Sequence, residues 1–351
     1  MAHPSDSTEI GAAVQKPDPH AKLKPAAPVE VKLAEALPVE VAHPFARIVR
    51  LALRIVPLVL LVAAVFVLRR EFRGLSLHAV AAAMDGWGHA AILGALGLSV
   101  VSFIFMGAVE WLGLRWVGKT LPWGVAMAGS FLANAIAHAI GANLLVSGAV
   151  RARLYDRYGV GLTQVAATTL FGGMSFAVGL AALGGGGLLL ATPAELEATA
   201  IPVTVARAAG ALMVAGALGY VALCALRRKP LAAFGRSLTL PSWREAAAQL
   251  VIGVLDNGIA AAIIWILLPP HATSYPSFVG AYAVACVAGL LSSVPGGAGV
   301  FEAALSRLLP TVSAAPLAAS FLGYRLAYYL LPLVIASLAL AGDTLLRVRK
   351  D

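Results

Sequence analysis

Charged side chains stand where a hydrocarbon solvent would resist them: Glu110, Arg207, Asp256, Glu302, Arg307 and Arg325 lie within or beside long apolar stretches, with Asn134, His138, Asn143 and Asn257 as polar companions. A charge at the centre of a bilayer costs about 2.5–3.5 kcal/mol on insertion scales, so each asks for a partner, a ligand or a route to the surface. Arg207 is near enough to the end of its run to snorkel. Glu110 neighbours Trp111 and fits either an interfacial carboxylate beside an aromatic anchor or an embedded one. Asp256 and Asn257 fall near the middle of their run, where a short aspartate cannot snorkel; they point to charge pairing or ligand contact, with a helix-to-helix hydrogen bond as the alternative. Glu302 follows Pro295-Gly296-Gly297-Ala298-Gly299-Val300-Phe301, whose glycines permit a tight turn. It would open the next helix, where a carboxylate caps and where anions are also drawn. Arg325, among Tyr324, Tyr328 and Tyr329 and upstream of Pro332, offers a donor fork for a phosphate or for a salt bridge to Glu302 or Asp256. Arg151 and Tyr155, four apart in a basic-aromatic stretch that also holds Arg153, Arg157 and Tyr158, share one side of a helix. That stretch serves topology or contacts headgroups.

The stretches that would position these groups dominate the chain. Of 351 residues, 60% are hydrophobic and 12% charged, with a mean hydropathy of +0.86; a soluble domain is about 25% charged. A soluble globular protein is excluded. The net charge of +9 sits in clusters between apolar segments, a topology signal rather than a nucleic-acid surface. Cys224 and Cys286 lie in apolar runs, which supports neither a disulfide nor a thiolate metal site. Walker loops, dinucleotide glycine fingerprints, His-Glu-x-x-His and nucleophile elbows are missing, so no cofactor, metal or ATP-driven chemistry is expected. The run Gly184 to Gly187 fits close helix packing better than phosphate binding.

Residues 1–44, broken by Pro4, Pro17, Pro19, Pro25, Pro28, Pro38 and Pro44, read as a disordered cytoplasmic tail without the apolar core of a secretory signal. Residues 45–351 read as one polytopic transmembrane domain, with apolar segments near 48–68, 89–111, 123–146, 162–190, 201–226, 246–268, 276–294 and 315–346 and a shorter piece at 296–310. Segments 128–156 and 281–309 resemble each other, Ser147-Gly148-Ala149-Val150-Arg151 aligning with Ala298-Gly299-Val300-Phe301-Glu302. Both are interrupted, at Gly141-Ala142-Asn143 and at Pro295-Gly296-Gly297, which suits half-helices that enter and leave by the same side. Treating both as re-entrant puts most Lys and Arg residues on one face. The expected fold is therefore an all-α polytopic bundle with six full spans, two oppositely entering units forming an inverted repeat, and both termini cytoplasmic.

Three of these stretches, Ser147-Gly148-Ala149-Val150-Arg151 with Tyr155, Pro295 to Glu302, and Tyr324-Arg325 with Tyr328, Tyr329 and Pro332, together resemble the lysylphosphatidylglycerol synthase transmembrane-region family. That family includes the membrane half of the bacterial multiple peptide resistance factor. The resemblance spans about 48–346 and implies a flippase-like translocase of phospholipid or another lipid in the bacterial inner membrane, with Arg151, Glu302 and Arg325 as the residues carried over. The aminoacyltransferase domain that follows in that factor is not expected here, since this chain stops at Asp351, and neither is synthase activity.

The combined expectation is a non-enzymatic lipid translocase whose broken units meet near the midplane around a polar cavity. Arg151, Tyr155, Asp256, Asn257, Glu302, Arg325 and Tyr328 would contact the substrate, while Pro295, Gly296, Gly297 and Gly299 shape the turn. Partners would be membrane lipids with anionic headgroups, with a lipid-synthesising enzyme or a second copy as further candidates and no nucleic acid. The alternative is a membrane enzyme, using Asp256, His138 and Glu302 as acid-base groups, or an accessory subunit in headgroup modification.

Overall fold

The computed structural model describes residues 77–348 other than 141–142, 200, 228–230, 234–235, 239, 293–296 and 298. The expected tail at 1–44, the apolar run at 48–68, and Pro295 and Gly296 lie outside the described residues. Hydrocarbon offers no partner for a peptide N–H or C=O, so apolar runs satisfy their backbone internally as helices. The chain folds as α1 (Leu77–Asp85), α2 (His89–Trp116), α3 (Trp123–Ile140), α4 (Asn143–Tyr155), α5 (Leu162–Leu190), α6 (Pro193–Glu197), α7 (Val203–Leu226), α8 (Trp243–Trp265), α9 (Tyr275–Leu291), α10 (Val300–Leu308), α11 (Ala314–Tyr324) and α12 (Leu331–Val348). A π-helical segment, Arg325–Leu330, joins α11 to α12. Between α7 and α8 lies an antiparallel pair not expected from the sequence, β1 (Leu231–Ala233) and β2 (Arg236–Leu238), with Ala232 opposite Ser237.

Among the described residues, five helical stretches are long and apolar enough to cross a membrane: α2, α5, α7, α8 and the continuous α11–α12. Their outer faces carry exposed side chains such as Leu93, Leu170, Leu212 and Leu338, the inverse of a soluble surface and suited to acyl chains. Between helices, small residues let backbones meet. Gly179 of α5 and Gly253 of α8 abut directly, and Gly185 and Gly187 leave room for the backbones of α7 and α9. Polar side chains then clasp the same contacts: Ser175 Oγ donates to Gln249 O at 2.8 Å, Gln249 Nε2 to Phe171 O at 2.9 Å, and Tyr220 Oη to Gln249 Oε1 at 2.7 Å.

Four of the remaining helices form two antiparallel hairpins, α3 with α4 and α9 with α10. The end of α2 and the start of α5 share a face, because Lys119 Nζ donates to Gly159 O and Gln164 Nε2 to Val117 O. The α3–α4 hairpin therefore returns to the side from which it entered. On the other face, Trp87 Nε1 donates to Leu267 O at 2.9 Å, and Glu195 Oε1 accepts the Ser274 N–H at 3.1 Å. These contacts gather the start of α2, the ends of α5 and α8, and the start of α9. The second hairpin enters from there, opposite to the first. Its turn places Gly297 at φ 64° and Gly299 at φ 80°, a region that penalises any residue with a β-carbon.

Candidate functional site

Among the described residues, each half of the protein holds one embedded ion pair. In the first, Arg151 of α4 grips Glu110 of α2: Nε donates to Oε1 at 2.9 Å and to Oε2 at 2.8 Å, and one terminal nitrogen reaches Oε2 at 2.8 Å. Tyr155, one turn on, donates its hydroxyl to Glu110 Oε1 at 3.1 Å. All three are buried, at 4% exposure for Glu110, 5% for Arg151 and 1% for Tyr155. Glu110 is thus embedded and paired rather than interfacial. In the second half, Glu302 receives the Gly299 N–H at 2.9 Å and Arg325 Nε at 3.0 Å, with an Arg325 terminal nitrogen also in contact. It caps α10 and neutralises Arg325 at once. Of the two salt-bridge partners open to Arg325, Glu302 is the one it takes.

The two halves thus carry opposite charges at matched positions. Arg151 and Glu302, aligned by the internal resemblance, both lie on the second helix of a hairpin, and each finds its counter-ion on a flanking span. Arg325 stands at the start of the π segment, 5.6 Å from the Tyr329 ring centroid. An extra residue per turn there aims Arg325, Tyr328 and Tyr329 into the bundle together.

Between the pairs runs a column of polar and aromatic side chains. Tyr328 stacks on Tyr324, with centroids 5.2 Å apart, and on His138 of α3 at 5.7 Å; His138 also meets Tyr329 at 5.7 Å. One turn along α3, Asn134 accepts from an Arg151 terminal nitrogen at 3.5 Å and donates to Ser130 Oγ at 3.0 Å. Beside the column, Ser102 of α2 donates to Asp256 Oδ1 of α8 and lies 2.8 Å from Tyr328 Oη. Asp256 therefore lies in a link between α2, α8 and the π segment. Its neighbour Asn257 points elsewhere, donating to Gly253 O at 2.8 Å and Phe176 O at 3.2 Å, and serves the α5–α8 contact instead of joining the other candidates. Arg207 caps the end of α5 by donating to Leu189 O and Ala191 O at 2.6 and 3.0 Å. Sequence reasoning missed Ser102 as a partner; a lone serine in an apolar run carries no signal of what it faces.

The polar side chains pack against one another, because a charge in low dielectric gains more from a partner than from an empty lumen. Beside them, among the described residues, lies an apolar cavity of about 430 Å³ walled by Leu96, Val100, Ile104, Met127, Phe131 and Ile335 among others. Phe103 lines that cavity and also approaches Tyr328 and His138, at 5.7 and 6.3 Å.

Two opposed re-entrant hairpins among apolar spans, with charges paired inside, define a polytopic helical membrane protein of the inverted-repeat kind. The chain belongs to the family described as the lysylphosphatidylglycerol synthase TM region, which matches residues 51–336. It is 31% identical over 275 residues to the uncharacterised protein slr0712 of Synechocystis, covering 78% of this chain and 85% of that one. It is also 31% identical over 261 residues to the inner membrane protein YbhN of Escherichia coli, covering 70% and 78%.

Proposed function

We propose that this protein is a lipid translocase of the bacterial inner membrane, not an enzyme, and that it moves lipids with anionic headgroups. The observation that carries this reading is the placement of the two Arg–Glu pairs, one per inverted hairpin, at either end of a polar-aromatic column flanked by an apolar groove. A phosphate is a bidentate acceptor like the carboxylates that now occupy Arg151 and Arg325. It can exchange with Glu110 or Glu302 without leaving an arginine unpaired, while the acyl chains follow the groove. The face bearing Arg115, Lys119, Arg153 and Arg157 is cytoplasmic by charge, and the face bearing Asp85, Glu195 and Glu197 lies opposite. The Lys- and Arg-rich ends of the chain assign both termini to that cytoplasmic face as well.

The test is purified protein in liposomes, with a leaflet-specific probe following fluorescent phosphatidylglycerol and a neutral lipid side by side. Protein-dependent movement of the anionic lipid, lost in Arg325→Ala, is the expected result. Immobility of both lipids would overturn the reading, and a new lipid species in cells expressing the protein would favour headgroup chemistry instead.

A further inference from the structure

Three carboxyl groups lie inside the described membrane helices near the column, and they are not treated alike. Glu110 and Glu302 each hold an arginine. Asp256 holds none: its partner is the Ser102 hydroxyl, and beyond that Tyr328. Nor, among the described residues, does a cation stand ready nearby. On the helices packed against α8, α5 carries no charged residue, Arg207 of α7 is engaged by carbonyls, and α9 and α11 offer only Tyr275, Tyr282, Cys286 and Tyr324 as titratable groups. On α2, His89 opens the helix far from Ser102, while Glu110 and Arg115 lie toward its other end, with Glu110 satisfied by Arg151. From α3, His138 reaches the Tyr328 ring, and its Nδ1 is buried without a hydrogen-bond partner.

The hydrogen bonds have a direction. A serine hydroxyl has one proton to donate, and Ser102 gives it to Asp256, so Tyr328 must be the donor in its own contact with Ser102. The order Tyr328, Ser102, Asp256 is a wire of two hydroxyls ending on a carboxylate. Reversing each hydroxyl lets the same three groups bond a protonated Asp256, so both proton states of the carboxyl find partners without any ion pair changing.

We propose that Asp256 is a proton-binding site, filled and emptied through Ser102 and Tyr328, that couples cargo movement to proton movement across the membrane. A proton reaching Tyr328 from the His138 side displaces the phenolic proton to Ser102, whose own proton passes to Asp256; both hydroxyls end neutral with their directions reversed, and only the carboxylate gains a proton. The coupling to cargo rests on the translocase reading above, whereas the proton site does not.

The experiment uses the full chain in liposomes that contain fluorescent phosphatidylglycerol and enclose a pH-sensitive dye, with a one-unit pH gradient imposed in either orientation. For one proton per lipid, that gradient drives the leaflet ratio to at most about tenfold. The expected result is gradient-driven lipid asymmetry together with proton flux, both lost in Asp256→Asn and retained in Asp256→Glu. Asparagine keeps an acceptor for Ser102, so the variant's elution profile and helicity should match the parent. Lipid movement that ignores the gradient, without proton flux, would overturn the proposal and leave the translocase standing. Proton flux that depends on Asp256 without any lipid movement would support the site and refute the translocase. Absence of both, or an Asp256→Asn protein that behaves like the parent, would refute the proton site.

Discussion

Arg151 and Glu110 are 41 residues apart in sequence and meet through three short nitrogen-to-oxygen contacts, with Tyr155 closing the carboxylate from a further side. The pair fastens the first re-entrant hairpin to the span before it. Removing one member leaves the other charged and buried, which costs about 3–5 kcal/mol, whereas replacing both by apolar side chains of similar size is often neutral. Glu110→Ala and Arg151→Ala should each lower the thermal midpoint in detergent sharply, and Glu110→Leu combined with Arg151→Met should recover most of the loss. A double variant as unstable as the sum of the singles would show that the pair does not act as a unit.

Tyr155 reaches Glu110 across Gly129 of α3, where any β-carbon would collide with the tyrosine ring and hydroxyl. A substitution that overpacks such a contact costs about 1–3 kcal/mol. Gly129→Ala should destabilise the protein by that order, while Gly124→Ala, whose β-carbon meets nothing within 4 Å, should not. Equal melting curves for the two would place Tyr155 elsewhere.

Sidedness follows from the hairpin geometry. Cysteines introduced at Lys119 and at Arg157, before and after the first hairpin, should react alike with an impermeant thiol reagent. One at His271, in the exposed loop between α8 and α9, should react oppositely. The background for this labelling is the protein with Cys224 and Cys286 replaced by alanine. Opposite labelling of positions 119 and 157 would make the α3–α4 hairpin a crossing.

Outside the spans, Glu195 ties α6 to the start of α9. Partial burial acts to raise its pKa, but hydrogen bonds at Ser274 and Thr192 together outweigh this and hold the carboxyl below its usual value. A depressed folded pKa means stability that is present above the unfolded value, about 4.3, and is lost as pH falls through the folded one. Glu195→Gln should therefore weaken the protein near neutrality, with a difference that shrinks in acid. A gap that is constant across that range would assign the effect to shape rather than charge.

Much of this architecture is visible in the residues themselves. Hydropathy outlines the spans, since α5 begins and ends where its apolar run does, and the small-residue interruptions mark where the hairpins turn. Gly297 and Gly299 are legible for the same reason, because left-handed torsions admit little else. The pairing of the charges is not legible. Which carboxylate meets Arg325 depends on which helices are neighbours, and Asp256 and Glu302 were equal candidates until packing placed α10 beside α11. The π segment is hidden too, for the residues Arg325 to Leu330 are compatible with an ordinary α-helix and only tertiary contacts select the wider turn.

Both ion pairs are internal to their own half: Glu110 and Arg151 belong to α2–α5, Glu302 and Arg325 to α8–α12. Among the described residues no salt bridge crosses from one half to the other, and the seam is stitched by hydroxyls, aromatic faces and touching glycines. Each block therefore neutralises its own ion pair, and what holds the two together is close packing and neutral hydrogen bonding, together with the Ser102–Asp256 contact. A shift along that seam would break neutral contacts and the Ser102–Asp256 hydrogen bond while leaving both ion pairs intact.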